Sequence, residues 1–104
     1  MKRVAFKMKL KNGYKDEYMR RHNAIWPDLK ELLNSSGVGE YSIFFDTETH
    51  TLFAFQKISE KGGSQDMGNH PIVRKWWDYM ADIMEVHEDN SPISIPLEEV
   101  FYMV

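Results

Sequence analysis

The sequence predicts a two-layer α+β domain with the element order βαββαβ. Residues 3–11 alternate apolar side chains with lysines, as a half-buried strand does. Residues 40–46 and 51–58 also alternate, and the short polar link between them predicts a hairpin. Apolar residues spaced by three and four after Pro71 predict an amphipathic helix. We therefore expect an antiparallel sheet with its helices on one face.

The segment from residue 14 to residue 36 has a helical pattern that Pro27 interrupts. Proline has no N–H to donate but suits the first position of a helix. We predict one helix that ends near residue 24 and a second that begins at Pro27. The apolar stripe of the second helix consists of Leu29, Leu32 and Leu33.

The second half of the chain contains one long helix between two less regular segments. Residues 59–70 are rich in glycine, serine and polar groups, and we expect a loop or a poorly formed turn of helix. The helix from Pro71 should end near Val86, and Pro96–Tyr102 should form the last strand. No repeat or linker divides the chain, so we expect residues 1–104 to form a single domain.

The composition excludes several classes of function. The net charge is −3, which does not fit the basic surface of a nucleic-acid-binding protein. The chain has no cysteine, which excludes disulfides and thiolate chemistry. Lysines interrupt the apolar positions near the N-terminus, and no apolar run reaches membrane-spanning length, so we expect a cytoplasmic protein with no membrane contact.

Aromatic residues make up 13% of the chain, and some of them fall on the sheet face that the helices leave open. Such residues would not stay in water in a monomer. Pairing two sheets face to face would cover them, and the sequence therefore predicts a homodimer.

His22 is the candidate for acid–base chemistry, because Tyr18 precedes it by one helical turn and shares its face. A neutral imidazole takes or gives a proton near pH 7. A neighbouring Arg21 guanidinium would favour that neutral form. The alternative is a helix histidine that only packs. The other histidines have ordinary surface or turn positions, and no spacing of His, Asp or Glu indicates a metal site.

Trp76 and Trp77 lie about 100° apart around the predicted helix, so their environments must differ. One would pack into the core, and the other could present its face to a ligand such as a sugar. A core position for both is about equally compatible with the pattern.

Several segments together resemble the L-rhamnose mutarotase family. The resemblance runs in order along essentially the whole chain, and it is the combination that is specific. The segments are YMRRHNAIWPDL at residues 18–29, RKWWDYM at 74–80, DNSP at 89–92 and EVFY at 99–102.

The resemblance implies a ferredoxin-like fold that pairs into a dimeric α+β barrel. It also implies interconversion of the α and β anomers of L-rhamnose with no metal or organic cofactor. The family's proton donor falls on His22, and its sugar-binding positions fall on Tyr18, Tyr41, Trp76 and Trp77.

Two features depart from the family pattern. Ala24 stands where the family usually has proline, and Gly62 and Gly63 stand where it tends to be helical with a bulky residue. The second departure affects the expected local structure of residues 60–70 and any contact that these residues make with the sugar.

Dimeric α+β barrels also include cofactor-free and haem-degrading monooxygenases, and this is the alternative function. His22, Asn23 and Trp76 would then surround a flat substrate. A barrel that binds a ligand without turnover is a third possibility.

Overall fold

The computed structural model describes residues 2–60 and 62–104. It contains four strands, three α-helices and one short 3-10 turn within those residues. In chain order the elements are β1 (Lys2–Lys9), α1 (Lys15–Asn23), α2 (Pro27–Ser35), β2 (Gly39–Asp46), β3 (Thr51–Ile58), the 3-10 turn Ser64–Asp66, α3 (Pro71–Met80) and β4 (Ile95–Leu97).

The strands form one antiparallel sheet in the order β2-β3-β1-β4. This order confirms the predicted α+β class and is consistent with a ferredoxin-like fold. Alternate strand residues such as Phe6, Leu52 and Ala54 enter the core together with Leu29 of α2 and Val73 of α3. The helices therefore cover one face of the sheet.

Two of the four prolines begin helices, as predicted. Pro27 and Pro71 each occupy the first turn of a helix, where the missing N–H costs no hydrogen bond. At the other end of α2, Gly37 has a φ of +90°, and a Cβ there would collide with the Ser59 side chain. This position therefore favours glycine.

The prediction that the third helix continues to Val86 is wrong, because α3 ends at Met80. Ile83 and Met84 are buried at helical spacing, but the backbone there pairs with the end of β1. The Lys11 N–H donates to the Ile83 carbonyl at 2.8 Å, and Leu10 bridges Met84. A strand-like contact with the end of β1 therefore buries the apolar residues whose spacing predicted a helix.

The last strand is also shorter than predicted. Only Ile95–Leu97 pairs with β1, and residues 98–104 continue without ladder hydrogen bonds. Arg3 anchors this tail through an ion pair to Glu99 at 2.9 Å and by lying over the Tyr102 ring. No helix among the described residues is long and apolar enough to cross a membrane.

Candidate active site

A pocket of about 800 Å³ opens between the helix layer and the sheet. This volume falls in the range of small-molecule sites. All five residues singled out from the sequence line it, although they come from three different elements. These residues are Tyr18, His22, Tyr41, Trp76 and Trp77.

Tyr18 and His22 form a stacked pair on α1. Their ring centroids lie 4.1 Å apart with the planes at 22°. Nδ1 of His22 is 3.1 Å from the backbone carbonyl oxygen of Tyr18. A carbonyl can only accept, so Nδ1 carries the hydrogen and, in the neutral ring, Nε2 keeps its lone pair.

Burial sets the protonation of this pair. It lowers the pKa of His22 below 6.5, although the hydrogen bond to the Tyr18 carbonyl opposes the shift. Burial also raises the pKa of Tyr18 well above 10, and the nearby Tyr41 adds to this. At neutral pH the site therefore presents a basic imidazole nitrogen and a protonated phenol.

The two tryptophans of α3 have different neighbours, as their helical spacing predicts. The Trp76 ring meets His22 edge-on at 5.4 Å and Trp26 at 5.0 Å. Trp77 instead packs against Gly68, where a Cβ would lie 2.8 Å from its ring. Each is only 8% exposed, so both combine a core position with a place in the pocket lining.

Arg21 lies in an ion-pair cluster that joins α1 to the end of α3. Its guanidinium donates to Glu17 at 2.7 Å, to Asp82 at 2.8 Å and to the Tyr79 carbonyl at 2.8 Å. Arg21 was expected to favour a neutral His22 if its guanidinium lay close to the imidazole. The guanidinium instead pairs with these groups, and burial is what lowers the pKa of His22. The cluster instead fixes the helix that carries His22 relative to the helix that carries Trp76.

Tyr41 enters the pocket from β2, opposite the two helices. Its side chain is 36% exposed. Burial raises the pKa of its hydroxyl, and the nearby side chains of Ser64 and Gln56 partly oppose this shift. Gln56 is fully buried, and Ser64 is 7% exposed. We call Tyr18, His22 and Trp76 the helix wall, and Tyr41, Gln56 and Ser64 the strand wall.

The match to the L-rhamnose mutarotase family model extends over residues 3–103. The chain belongs to the L-rhamnose mutarotase family. Relatives named L-rhamnose mutarotase are 67% identical in Formosa agariphila and 68% identical in Bacteroides thetaiotaomicron, each over 99% of both chains. A crystal structure of L-rhamnose mutarotase from Formosa agariphila superposes with a TM-score of 0.91 at 62% identity, covering 100% of both chains.

Membership of the L-rhamnose mutarotase family favours the first of the predicted functions over the monooxygenase. The remaining histidines, His50, His70 and His87, do not line the pocket. Within residues 2–60 and 62–104, no group of His, Asp or Glu side chains is arranged to hold a metal ion.

Sequence reasoning missed Gln56 and Ser64 of the strand wall. The alternation of β3 could have identified Gln56, because this residue falls on the inward side of the strand, between Ala54 and Ile58, where an apolar residue is expected. A polar residue at an inward strand position indicates a buried hydrogen-bond network. Gly62 and Gly63, which depart from the family pattern, belong to the turn that supplies Ser64.

Proposed function

We propose that this protein interconverts the α and β anomers of L-rhamnose, with His22 as the group that transfers the proton. The observation that supports this most strongly is the position of the His22 imidazole in an aromatic-lined pocket, with Nδ1 at 3.1 Å from the Tyr18 carbonyl oxygen, which leaves Nε2 as the acceptor. Relatives that cover 99% of the chain carry the same activity in their names.

Mutarotation opens the pyranose ring and closes it on the other face of the aldehyde. On opening, the bond between C1 and the ring oxygen breaks, the anomeric hydroxyl loses a proton and the ring oxygen gains one. A neutral His22 must accept before it can donate, so Nε2 takes the proton of the anomeric hydroxyl. On closure the C5 hydroxyl oxygen bonds to C1 and gives its proton back to the group that supplied it. The imidazolium returns its proton to the oxygen on C1 and so acts as the donor that the family resemblance implies.

The ring oxygen receives its proton from the Tyr18 hydroxyl or from a water molecule. Tyr18 keeps its proton at neutral pH because burial raises its pKa. Positioned acid–base groups contribute about 10²–10⁴-fold to a rate. This is sufficient for a reaction that already proceeds slowly in water.

Tyr41, Trp76 and Trp77 are proposed to bind and orient the sugar. The C–H faces of a pyranose are apolar and suit aromatic rings, whereas its hydroxyl rim needs hydrogen-bond partners. The rings of Trp76 and Trp77 supply the first kind of contact, and the hydroxyl of Tyr41 supplies the second.

Saturation-transfer NMR on the anomeric protons of L-rhamnose tests the activity. The wild-type protein should accelerate exchange between the two anomers, and His22→Ala should lose about 10²-fold or more of that acceleration. His87→Ala is the matched control, because His87 is exposed and lies outside the pocket lining. Exchange unchanged by the wild-type protein would exclude the proposed activity.

We also propose that the open face of the sheet pairs with a second copy of the chain. Phe44, Phe53 and Ile95 lie in one row across this face, with Lys7 between the last two, and are 68%, 39% and 51% exposed. The tail from Val100 to Val104 is exposed as well. An exposed surface with several large apolar side chains is typical of an interface.

Sedimentation equilibrium at micromolar concentration tests the pairing. The wild-type chain should sediment as a dimer, and the double variant Phe44→Glu/Phe53→Glu as a monomer. Tyr14→Glu, at an exposed apolar residue that precedes α1, should remain dimeric. A monomeric wild-type chain would refute the proposal.

We also propose a cytoplasmic location, which the cysteine-free composition supports.

A further inference from the structure

Tyr79 connects the Arg21 cluster to the aromatic rings of the helix wall. Its backbone carbonyl lies in the last turn of α3, where helix carbonyls lack a partner within the helix, and it accepts a hydrogen bond from Arg21 at 2.8 Å. The guanidinium carbon of Arg21 also lies 4.5 Å from the centre of the Tyr79 ring. Arg21 therefore contacts both the backbone and the side chain of Tyr79, and it is itself only 8% exposed.

The Tyr79 ring packs against two tryptophans. It stacks on Trp26 with the ring centroids 5.7 Å apart and the planes at 27°, and it meets Trp76 at 5.6 Å with the planes at 61°. Trp26 and Trp76 also meet each other edge-on. Because each of the three rings contacts the other two, a shift of the Tyr79 ring would leave a gap beside Trp76, and closely packed side chains move to fill such gaps.

These contacts form a closed circuit through His22. Arg21 holds Tyr79, the Tyr79 ring packs on Trp76, and Trp76 meets the His22 imidazole edge-on at 5.4 Å. His22 follows Arg21 directly in α1, which closes the circuit along the chain. Trp76 and His22 line the pocket, whereas Arg21 and Tyr79 do not. Arg21 and Tyr79 therefore lie behind the groups that would meet the sugar and join the two helices that carry them.

We propose that Arg21 and Tyr79 are positioning residues that hold the His22 imidazole against Trp76 in the orientation that proton transfer needs. This inference rests on the proposed function, because it gives both residues a task in the same reaction. Proton transfer requires Nε2 of His22 within hydrogen-bond reach of the anomeric hydroxyl, and a misplacement of about 1 Å can cost up to about 10²-fold in rate. Binding is divided among three aromatic residues in the proposed function, so a displaced imidazole should affect kcat more than KM.

The test compares kcat and KM for L-rhamnose in the wild-type protein, Tyr79→Leu, Tyr79→Phe and Arg21→Met. Tyr79→Leu removes the ring and should lower kcat by about tenfold with KM changed less than about threefold, whereas Tyr79→Phe keeps the ring and should keep the wild-type kcat. Arg21→Met should also lower kcat. The double variant Arg21→Met/Tyr79→Leu should be no slower than the slower single variant, because both act through the same contacts. Multiplying effects, or a wild-type kcat in Tyr79→Leu, would overturn the inference.

Tyr14→Leu is the matched control. Tyr14 is 40% exposed and Tyr79 is 38% exposed, but Tyr14 precedes α1 and does not line the pocket. This variant should keep the wild-type kcat and KM, and a loss of kcat equal to that in Tyr79→Leu would contradict the inference. Because Tyr79 is partly exposed, both of its variants should fold, and thermal unfolding checks this. If Arg21→Met or the double variant fails to fold, the two Tyr79 variants decide the outcome.

The NMR signals of the His22 imidazole separate this inference from the proposed function. The rings of Tyr18 and Trp76 shift the carbon-bound protons of His22, so these signals report the orientation of the imidazole. At a fixed pH at which the ring is neutral, Tyr79→Leu should move the signals and Tyr79→Phe should not. If the wild-type protein does not accelerate exchange, the proposed activity fails, and the signals still decide whether Tyr79 positions the ring. If it is active and Tyr79→Leu leaves the signals unchanged, only the positioning inference fails.

Discussion

The helix wall and the strand wall of the pocket are built from different kinds of interaction. The helix wall carries His22, whose pKa burial lowers; its ring stacks on Tyr18 and meets Trp76 edge-on. In the strand wall, Tyr41 and Ser64 line the pocket, and the Ser64 hydroxyl accepts a hydrogen bond from the buried Gln56 amide. We propose that the two walls differ in their tasks. His22 and Tyr18 of the helix wall transfer protons, whereas Tyr41 of the strand wall orients the sugar together with the tryptophans.

The supports of the two walls differ in the same way. Arg21 holds the helix wall through charged partners at the surface, where the Asp82 side chain is 65% exposed. Hydrogen bonds from Arg20 and Arg21 hold the pKa of Glu17 at about 2, so this carboxylate stays charged over the working range. The support of the strand wall is neutral and enclosed. Neither support therefore titrates near neutral pH, and we expect the pH response of the pocket in that range to come from His22.

The largest stability effect should follow from Arg21→Met. This change removes the donor that joins α1 to α3 and leaves Asp82 without its partner, whereas Glu17 keeps its ion pair with Arg20. We expect a loss of about 2 kcal/mol in the free energy of unfolding, because only the arginine is buried. For a domain of this size the melting temperature would fall by roughly 8–16 °C.

Arg20→Met provides the comparison for that experiment. Arg20 also binds Glu17, but its side chain is 63% exposed, so its loss should lower the free energy of unfolding far less than the loss of Arg21. Thermal unfolding of the two variants measures the contrast. Equal losses would show that the Arg21 cluster does not fix the helix wall.

The pH dependence of kcat/KM gives a second contrast. Burial lowers the pKa of His22 below 6.5, so the neutral base is present at pH 7 and is lost as the pH falls through the folded-state pKa. We expect a plateau above pH 7 and a decline with a midpoint below 6.5, after subtraction of the uncatalysed rate. Gln56→Leu should leave that midpoint unchanged, and a shifted midpoint would mean that the two walls are not independent.

Stability should vary in the same pH window. The unfolded chain binds a proton at His22 near pH 6.5, whereas the folded chain does so only at lower pH. The unfolded state therefore binds more protons in this interval, and the contribution of His22 to stability declines as the pH falls.

The sequence was sufficient where local patterns determine structure. Pro27 and Pro71 located two helix starts, and the four-residue spacing of Tyr18 and His22 located the stacked pair. It was insufficient where distant segments meet. Ile83 and Met84 have helical spacing but pair with β1, and only the fold reveals that contact.

The same limit explains what was missed in the site. The partners of Arg21 at Asp82 and Tyr79 are about sixty residues away, so its adjacency to His22 gave a wrong expectation. Gln56 and Ser64 are eight residues apart and belong to a strand and a turn, and no regular period relates them. The pairing depends on the close approach at Gly63, which becomes visible only when the turn is built.

The most direct measurement is the rate of anomeric exchange of L-rhamnose as a function of sugar concentration, for His22→Ala beside Tyr41→Phe. We predict that His22→Ala lowers kcat by about 10²-fold or more with little change in KM, because it removes the proton acceptor. Tyr41→Phe should raise KM with kcat near the wild-type value. A His22→Ala variant that exchanges the anomers as fast as the wild-type protein would contradict the account.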